Sequence, residues 1–304
     1  MDLLRLFSDN LLPVFLIAGL GWLLTAKLKV DPRAVAQVSL NVLAPALMFD
    51  LIMQNRLPLA DLLRMMGFGF TCLLVPAAVA FGIARWQGWS RSLTSGVVLA
   101  VMLTNSGNYG LSVNVLAFGQ RGLAQASLFF LASSIVSYTG GVFVASLGRT
   151  NVRAALAELA RTPTVWAVAV GLLLSGLRIQ LPGPVGSAAH MLATSCVPVF
   201  LLALGMQLYG ARLRGPWRPM VPATAIRLVG GIAVGLLFAP LFHLTGASRQ
   251  AGILQSAMPS AVVATLLASE YDVEPAFVVS VVLVTTLRSP FTLTPLLAYL
   301  RASL

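Results

Sequence analysis

The chain has 304 residues, of which 58% are hydrophobic and 10% are charged, and its mean hydropathy is +0.89. A soluble domain carries about 25% charged residues, so this composition excludes an ordinary soluble protein and indicates repeated membrane crossings. The net charge of +11 comes from lysines and arginines that lie singly or in small groups between apolar segments. This distribution indicates signals for membrane topology and no nucleic-acid partner.

Taken in chain order, the apolar segments predict an all-α membrane protein with ten transmembrane helices in the lipid bilayer. Their expected positions are 9–27, 34–53, 62–84, 93–117, 122–147, 163–178, 187–208, 219–243, 249–269 and 275–300. The first segment is interpreted as a membrane helix because no small-residue cleavage site follows it. Cys72 and Cys196 lie inside apolar segments, which predicts two buried thiols and no disulfide framework.

The longest connector, 148–162, lies at the middle of the chain and separates a predicted repeat 1–147 from a predicted repeat 163–304. Its apolar residues recur at helical spacing, which predicts a short interfacial helix. Connectors on its side of the membrane hold eleven bases, against seven on the other side. This bias predicts a cytoplasmic linker and both termini outside, in the plasma membrane, which is the inner membrane of a bacterium.

The two halves carry prolines at matching positions. Helix 2 contains Pro45 and helix 7 contains Pro198, and both are expected to break their helices. Asn105 in helix 4 follows Pro45 by 60 residues, and Pro259 in helix 9 follows Pro198 by 61. Since five is an odd number, two five-helix repeats have opposite orientations in the membrane. Inverted repeats with interrupted helices are typical of secondary transporters.

Helix 4 contains the polar stretch TNSGNYGL at 104–111. Gly107 and Gly110 weaken the helix there, and Asn105, Ser106 and Asn108 supply groups that can bind freed backbone or a ligand. Interrupted backbone at membrane depth is tolerated only where it is buried or lines a wet cavity. The stretch therefore predicts a substrate site, although small residues that merely allow close helix packing are the alternative interpretation.

Helix 9 offers a matching interruption. Pro259 removes a backbone hydrogen bond and Ser260 follows it. Where such a break exposes the N-terminus of a half-helix, its free N–H groups and its dipole favour an anion. The two interrupted helices together predict a binding site for a small organic anion at mid-membrane.

Four motifs also carry a resemblance to a known family: NVLAPALMF in helix 2, NSGNYGL in helix 4, AMPSAVVATLLASEY in helix 9 and TTLRSPFTLTPL in helix 10. They resemble the auxin efflux carrier family, which includes bacterial permeases for malonate, malate and related carboxylates. The resemblance covers nearly the whole chain. Many relatives have a proline shortly after the helix 4 glycines, where this chain has Ser112.

The resemblance implies a fold similar to sodium/proton antiporters and bile-acid transporters, in which broken helices 4 and 9 cross. Helices 1, 2, 6 and 7 would form a scaffold, and the remaining helices would carry an organic anion by an elevator-like motion. A homodimer is a candidate assembly. The residues that match the family's ligand-facing positions are Asn105, Ser106, Gly107, Asn108, Pro259 and Ser260.

Ionisable residues inside membrane helices are functional candidates. Arg288 lies near the middle of helix 10, where it is expected to attract a carboxylate or to neutralise half-helix C-termini, or else to form a structural ion pair. Arg227 in helix 8 is expected to extend to the cytoplasmic interface. Asp50 in helix 2 is a candidate carrier of a coupling proton, or else caps the helix end. His190 is expected at the membrane interface.

Other classes of protein fit the sequence less well. No nucleophile motif, metal-ligand motif or nucleotide-binding loop is present, so we expect neither an enzyme nor a bound cofactor or metal. A sodium-coupled carrier of the bile-acid type is the nearer alternative, and a membrane sensor is the more distant one. The helix 4 motif has no carboxylate to bind sodium, which favours sodium-independent transport.

Overall fold

The computed structural model describes residues 3–55, 59–146 and 160–302. The helices before the central gap are α1 Leu3–Asn10, α2 Leu12–Leu28, α3 Pro32–Val38, α4 Ala44–Asn55, α5 Leu59–Trp86, α6 Arg91–Met102, α7 Ser112–Val136 and α8 Val142–Ala145. Wider π-helical turns join α3 to α4, lead into α7, and join α7 to α8; they are Ser39–Leu43, Ser106–Leu111 and Ser137–Gly141.

The second part of the chain is also helical. Its helices are α9 Pro163–Gly176, α10 Gly183–Leu208, α11 Trp217–Ala225, α12 Gly231–Phe238, α13 Gly246–Ser256, α14 Val262–Glu270 and α15 Pro275–Ala302. The π-helical turn Ile226–Gly230 joins α11 to α12. The described residues contain no strand, and their β-type pairing is limited to an isolated bridge between Thr104 and Ser260.

Several helices start at local sequence signals. The Asp31 side chain accepts a hydrogen bond from the Arg33 N–H at 2.9 Å and caps α3. Ser90 caps α6 by accepting from the Leu93 N–H at 3.2 Å. A capping box between Thr245 and Ser248 starts α13. These caps satisfy N–H groups that the first turn of a helix leaves without partners.

Within the described residues, seven helical segments are long and apolar enough to cross a membrane: Leu3–Leu28, Pro32–Gln54, Leu59–Trp86, Ser106–Ala145, Gly183–Leu208, Trp217–Phe238 and Pro275–Ala302. Arg91–Met102 and Pro163–Gly176 are shorter apolar helices. Ser106–Ala145 turns at Gly119, whose φ of 64° suits a glycine, so it covers parts of two predicted spans. The all-helical membrane architecture is confirmed, and the ten-span inverted repeat stays a prediction.

Pro45 and Pro198 were expected to break their helices, and this expectation is wrong. Pro45 lies in the first turn of α4, directly after the π-helical turn Ser39–Leu43, and the helix continues through it. Pro198 lies inside the uninterrupted helix α10. A widened turn ahead of a proline relieves the clash of its ring with the preceding turn, and neighbouring helices compensate the lost hydrogen bond.

One group of helices comprises α2, α4, α9 and α10, which pack on one another. The contact between α2 and α10 is backbone to backbone, because a Cβ added to Gly21 or Gly205 would overlap a carbonyl group of the opposite helix. A second group comprises α5, α6, α7, α12 and α13. The turn Ser106–Leu111 lies between the two groups and contacts α10 and α13.

Most of the linker predicted at 148–162 lies outside the described residues. The two cysteines, Cys72 and Cys196, are free and buried, as the sequence predicts.

Candidate functional site at a crossing of two broken helices

Two helices are interrupted at the centre of the molecule and meet there. The first interruption separates α6, which ends at Met102, from the helix that starts at Ser106. The second separates α13, which ends at Ser256, from α14, which starts at Val262. The extended residues between these helices pair as a short antiparallel bridge. The Asn105 N–H donates to the Pro259 carbonyl at 2.8 Å, and the Ala261 N–H donates to the Leu103 carbonyl at 2.7 Å.

The glycines of helix 4 do not form the interruption, which lies before them at 103–105. Gly110 instead makes room for Gln255, since a Cβ at Gly110 would overlap the Gln255 side-chain oxygen. The Gln255 amide is fully buried and donates to the carbonyls of Ser106 and Ala126, each at 3.1 Å. This side chain therefore ties α13 to the other broken helix across the crossing.

A cavity of about 100 Å³, here called the crossing cavity, opens at this point. Its lining residues are Ala36, Ser39, Leu40, Thr104, Asn105, Ser106, Gly107, Asn108, Phe130, Ser133, Ser134, Ser137, Tyr138, Ala203, Gln207, Ala261, Val262, Val263 and Leu266. The helix that starts at Ser106 and the helix α14 both begin at its wall. The first N–H groups of a helix lack partners within it and carry its positive end. None of the described residues in this lining carries a charge.

Asn105 lines this cavity and carries a buried side-chain amide that is only partly hydrogen-bonded. Asn105 is 4% exposed; its side-chain oxygen accepts from the Tyr109 N–H at 3.4 Å, and its Nδ2 has no partner among the described residues. Leaving a buried donor unpaired costs about 1–3 kcal/mol. Asn108 nearby donates from Nδ2 to the Gln207 side-chain oxygen at 3.4 Å. Asn105 thus brings an unpaired amide donor to the wall of the cavity.

Three of the serine hydroxyls around the cavity are already used as donors. Ser39 donates to the Val35 carbonyl at 2.7 Å, Ser134 to the Phe130 carbonyl at 2.9 Å, and Ser137 to the Ser133 carbonyl at 2.8 Å. Such bonds to the preceding helical turn leave the hydroxyl oxygen as an acceptor. Candidate donors to a ligand in this cavity therefore include the Asn105 amide and the N–H groups of the two helix ends.

The predicted ligand-facing residues divide into two groups. Asn105, Ser106, Gly107 and Asn108 line the crossing cavity. Pro259 and Ser260 do not. Ser260 is fully buried, its hydroxyl donates to the Ala100 carbonyl at 2.6 Å, and its N–H donates to the Thr285 hydroxyl at 3.2 Å. Pro259 and Ser260 hold the crossing together and do not face the cavity.

The two intramembrane arginines exchange the positions that the sequence suggests for them. Arg288, expected near the crossing, lies on the exposed face of α15 beside Leu287 and Phe291. Arg227, expected to extend to the interface, is fully buried and donates to the carbonyls of Val101 and Ser256. Both expectations are wrong because neither segment has a distinct polar face, so its sequence does not define which side packs inward.

Asp50 and His190 face each other in a second cavity of about 350 Å³, here called the ion-pair cavity. The His190 Nδ1 lies 3.0 Å from the Asp50 carboxylate, and Gln54 donates to the same carboxylate at 2.8 and 2.9 Å. Since α4 continues to Asn55, Asp50 does not cap its end. At about 1.5 Å per residue, Asp50 lies about 16 Å along the helix from Ser39 in the crossing cavity.

Sequence reasoning missed the contributions of helices 5 and 7 to the crossing cavity. Ser133, Ser134, Ser137 and Tyr138 come from the middle of helix 5, and Gln207 comes from the end of helix 7. The stretch SSIVSY at 133–138 holds two pairs of polar residues four positions apart, Ser133 with Ser137 and Ser134 with Tyr138, so they share one side of the helix. That spacing inside an apolar segment was an available signal.

Apolar helices long enough to cross a membrane, together with two helices broken around a polar cavity, define an integral multi-pass membrane protein. The chain belongs to the membrane transport protein family, whose model matches residues 6–297. This assignment confirms the resemblance to the auxin efflux carriers. The protein is therefore a membrane transporter of this family.

Two archaeal relatives are similar to most of the chain or to a large part of it. An uncharacterized transporter from Methanothermobacter thermautotrophicus is 23% identical over 290 residues, which cover 93% of this chain and 94% of the relative. An uncharacterized transporter from Methanocaldococcus jannaschii is 24% identical over 195 residues, which cover 63% of each chain.

Proposed function

We propose that this transporter is a secondary carrier of a small organic anion, a carboxylate such as malonate or malate. The observation that carries the proposal is the convergence of two helix N-termini and the unpaired Asn105 amide on one cavity. Backbone N–H groups and positive helix ends favour an anion without any charged side chain. A carboxylate oxygen that accepts from Asn105 would also satisfy the buried donor.

The size of the crossing cavity supports a small substrate. Its volume of about 100 Å³ is well below the roughly 300–1,000 Å³ of pockets that hold drug-sized ligands. A short dicarboxylate fits this volume better than an aromatic acid does. Two carboxylates would also allow one group to contact each helix N-terminus.

We propose sodium-independent transport. A sodium ion needs several oxygen ligands, and carboxylates are the usual charged contributors. The described lining of the crossing cavity contains no carboxylate, and the positive helix ends there would repel a cation. Asp50, in the ion-pair cavity, is the candidate carrier of a coupling proton.

We propose that the chain forms two inverted five-helix repeats and works by an elevator-type motion, in which one of the two groups of helices moves past the other. We propose that α2, α4, α9 and α10 stay fixed, since α2 and α10 are in direct backbone contact at Gly21 and Gly205. The other group would carry the crossing across the membrane. A neighbouring cavity shares Leu40 and Phe130 with the crossing cavity and reaches residues 162–164. If the linker is cytoplasmic, as its charge bias predicts, the crossing cavity opens to the cytoplasm, and both termini lie outside.

Uptake into proteoliposomes tests the proposal. Labelled malonate, malate and an aromatic carboxylate are each offered with a pH gradient, with a sodium gradient and with neither. The wild type is compared with the double variant Asn105→Ala/Asn108→Ala. Asn41→Ala is the matched control, because Asn41 is an exposed asparagine whose amide donates to the Gln37 carbonyl.

We expect saturable uptake of malonate or malate by the wild type. The uptake rate of the double variant should be lower by about tenfold to a hundredfold, since hydrogen bonds to charged groups contribute about 1.5–3 kcal/mol. Asn41→Ala should retain the wild-type uptake. Uptake of no acid by the folded protein would contradict carboxylate transport and favour a sensor. Uptake only with a sodium gradient would contradict sodium independence. Unchanged uptake by the double variant would show that the stretch 104–111 serves helix packing and not substrate binding.

A further inference from the structure

Arg227 is the largest fully buried side chain among the described residues, and it lies in the turn Ile226–Gly230 between α11 and α12. Its guanidinium donates to the Val101 carbonyl at 2.7 Å and to the Ser256 carbonyl. These carbonyls come from two different helices that are far apart in sequence. A buried charge of this kind is costly unless it is paired or offsets a local negative potential.

Both carbonyls belong to the last turns of the two half-helices that stop at the crossing, α6 and α13. The last carbonyls of a helix lack partners within it and carry about half a negative elementary charge. Neighbouring carbonyls at these ends have other partners: Leu103 N–H donates to Leu99, and Ser260 hydroxyl donates to Ala100. Arg227 therefore binds terminal carbonyls of both helices at once.

We propose that Arg227 is a positioning residue for the anion site, which it serves by balancing the negative ends of α6 and α13. Four helix ends meet at the crossing, two positive and two negative. One guanidinium offsets about the summed charge of the two negative ends, so the positive ends facing the cavity keep their potential. Arg227 does not line the crossing cavity and does not touch the substrate.

The sequence around Arg227 brings the guanidinium to this position. Arg227, Gly231 and Gly235 are spaced four residues apart in RLVGGIAVG and share one helix face. A Cβ on Gly231 would overlap the Ser256 carbonyl oxygen, and a Cβ on Gly235 would overlap the Ser256 hydroxyl. The two glycines thus let this helix approach the end of α13 closely. The same helix contacts α5, α6 and α15, so Arg227 stays with the crossing if the crossing moves.

The inference rests on the proposed anion transport and has a charge-dependent consequence that a purely structural arginine would lack. Electrostatic energy scales with ligand charge, so the logarithm of the affinity loss should double from a monoanion to a dianion. Malonate, malonamate and malonamide form a series of similar shape with two, one and no negative charges. Their dissociation constants are measured on the full chain in lipid nanodiscs.

In Arg227→Met we expect the Kd to rise about tenfold for malonate and about threefold for malonamate, and to change less than about twofold for malonamide. Arg227→Lys keeps the charge and should restore most of the malonate affinity. Arg288→Met is the matched control, because it removes an arginine from the exposed face of α15 and should change none of the three values. Thermal unfolding of each variant reports its folded fraction.

The outcomes distinguish a failure of the role proposed for Arg227 from a failure of the proposed carboxylate transport. Acid binding by the wild type, with an equal loss for all three ligands in Arg227→Met, would overturn the charge-balancing role and leave the proposed transport intact. An Arg227→Lys variant that fails to fold, or that binds malonate no better than Arg227→Met, would also overturn it. A folded wild type that binds no carboxylate would overturn the proposed function, and the role of Arg227 with it.

Discussion

The crossing cavity and the ion-pair cavity lie along the same two helices, but they are lined by different kinds of polar group. The crossing cavity has helix ends, amides and hydroxyls and no charged side chain among its described lining residues. The ion-pair cavity contains Asp50 and His190 in contact at 3.0 Å. The N-termini of helices present a fixed positive potential from backbone N–H groups, whereas the ion-pair cavity depends on ionisable side chains. The difference separates the proposed anion site from the candidate site of a coupling proton.

The largest expected effect tests the crossing side of this comparison. Gly110→Ala should displace the Gln255 side chain from its two carbonyl partners, because a Cβ at Gly110 overlaps it. Overpacking and lost buried hydrogen bonds together should cost about 2–5 kcal/mol of stability. Thermal unfolding in detergent and malonate binding both measure the loss. Gly82→Ala is the control, since nothing lies within 4 Å of its added Cβ. Equal behaviour of the two variants would show that the crossing accommodates an added methyl group at Gly110.

A smaller and more selective effect is expected on the ion-pair side. Asp50→Asn should leave the malonate Kd unchanged within about twofold, because the two cavities are about 16 Å apart along the helix. It should reduce uptake driven by a pH gradient by about tenfold, the effect of losing about 1.4 kcal/mol of coupling. Exchange of labelled for unlabelled substrate without a gradient is the control reaction and should continue. A large change in Kd would break the separation of the two cavities.

The smallest effect refines the crossing cavity itself. Gln207→Ala removes the acceptor of the Asn108 amide, at the long distance of 3.4 Å. A neutral hydrogen bond contributes about 0.5–1.5 kcal/mol, so the KM for uptake should rise about two- to tenfold with little change in kcat. Initial-rate uptake at several malonate concentrations measures both. A fall in kcat at constant KM would instead place Gln207 in the moving step.

The helices and the location of the site were predictable from the sequence because both depend on local signals. Apolar segments of sufficient length mark the helices, and amides, glycines and a proline inside such segments mark the interruptions. Asn105 and Pro259 were identified in this way and are hydrogen-bonded neighbours. The inward or outward direction of a side chain is not a local property when a helix is apolar on all sides. Arg288 and Arg227 were misplaced for that reason.

The proline expectation failed for a different physical reason. A proline removes one hydrogen bond and crowds the preceding turn, but whether the helix stops depends on what else can satisfy the freed carbonyl. Pro45 follows a π-helical turn that relieves the crowding, and Pro198 remains in a continuous helix. At the crossing, by contrast, the extended backbone of each broken helix forms hydrogen bonds with the extended backbone of the other. Such long-range compensation is not visible in nine or ten residues of sequence.

The main-chain bridge at the crossing also determines how this region opens. The Asn105 and Ala261 amides donate across the bridge, so neither helix can straighten or withdraw unless both bonds break at a buried place. Their amide hydrogens should therefore exchange with deuterium only through an opening that separates the two helices. If the crossing travels as one unit during turnover, added substrate should leave that exchange slow even while uptake proceeds. The bridge thereby provides two backbone reporters that distinguish transport by displacement of an intact crossing from transport by its melting.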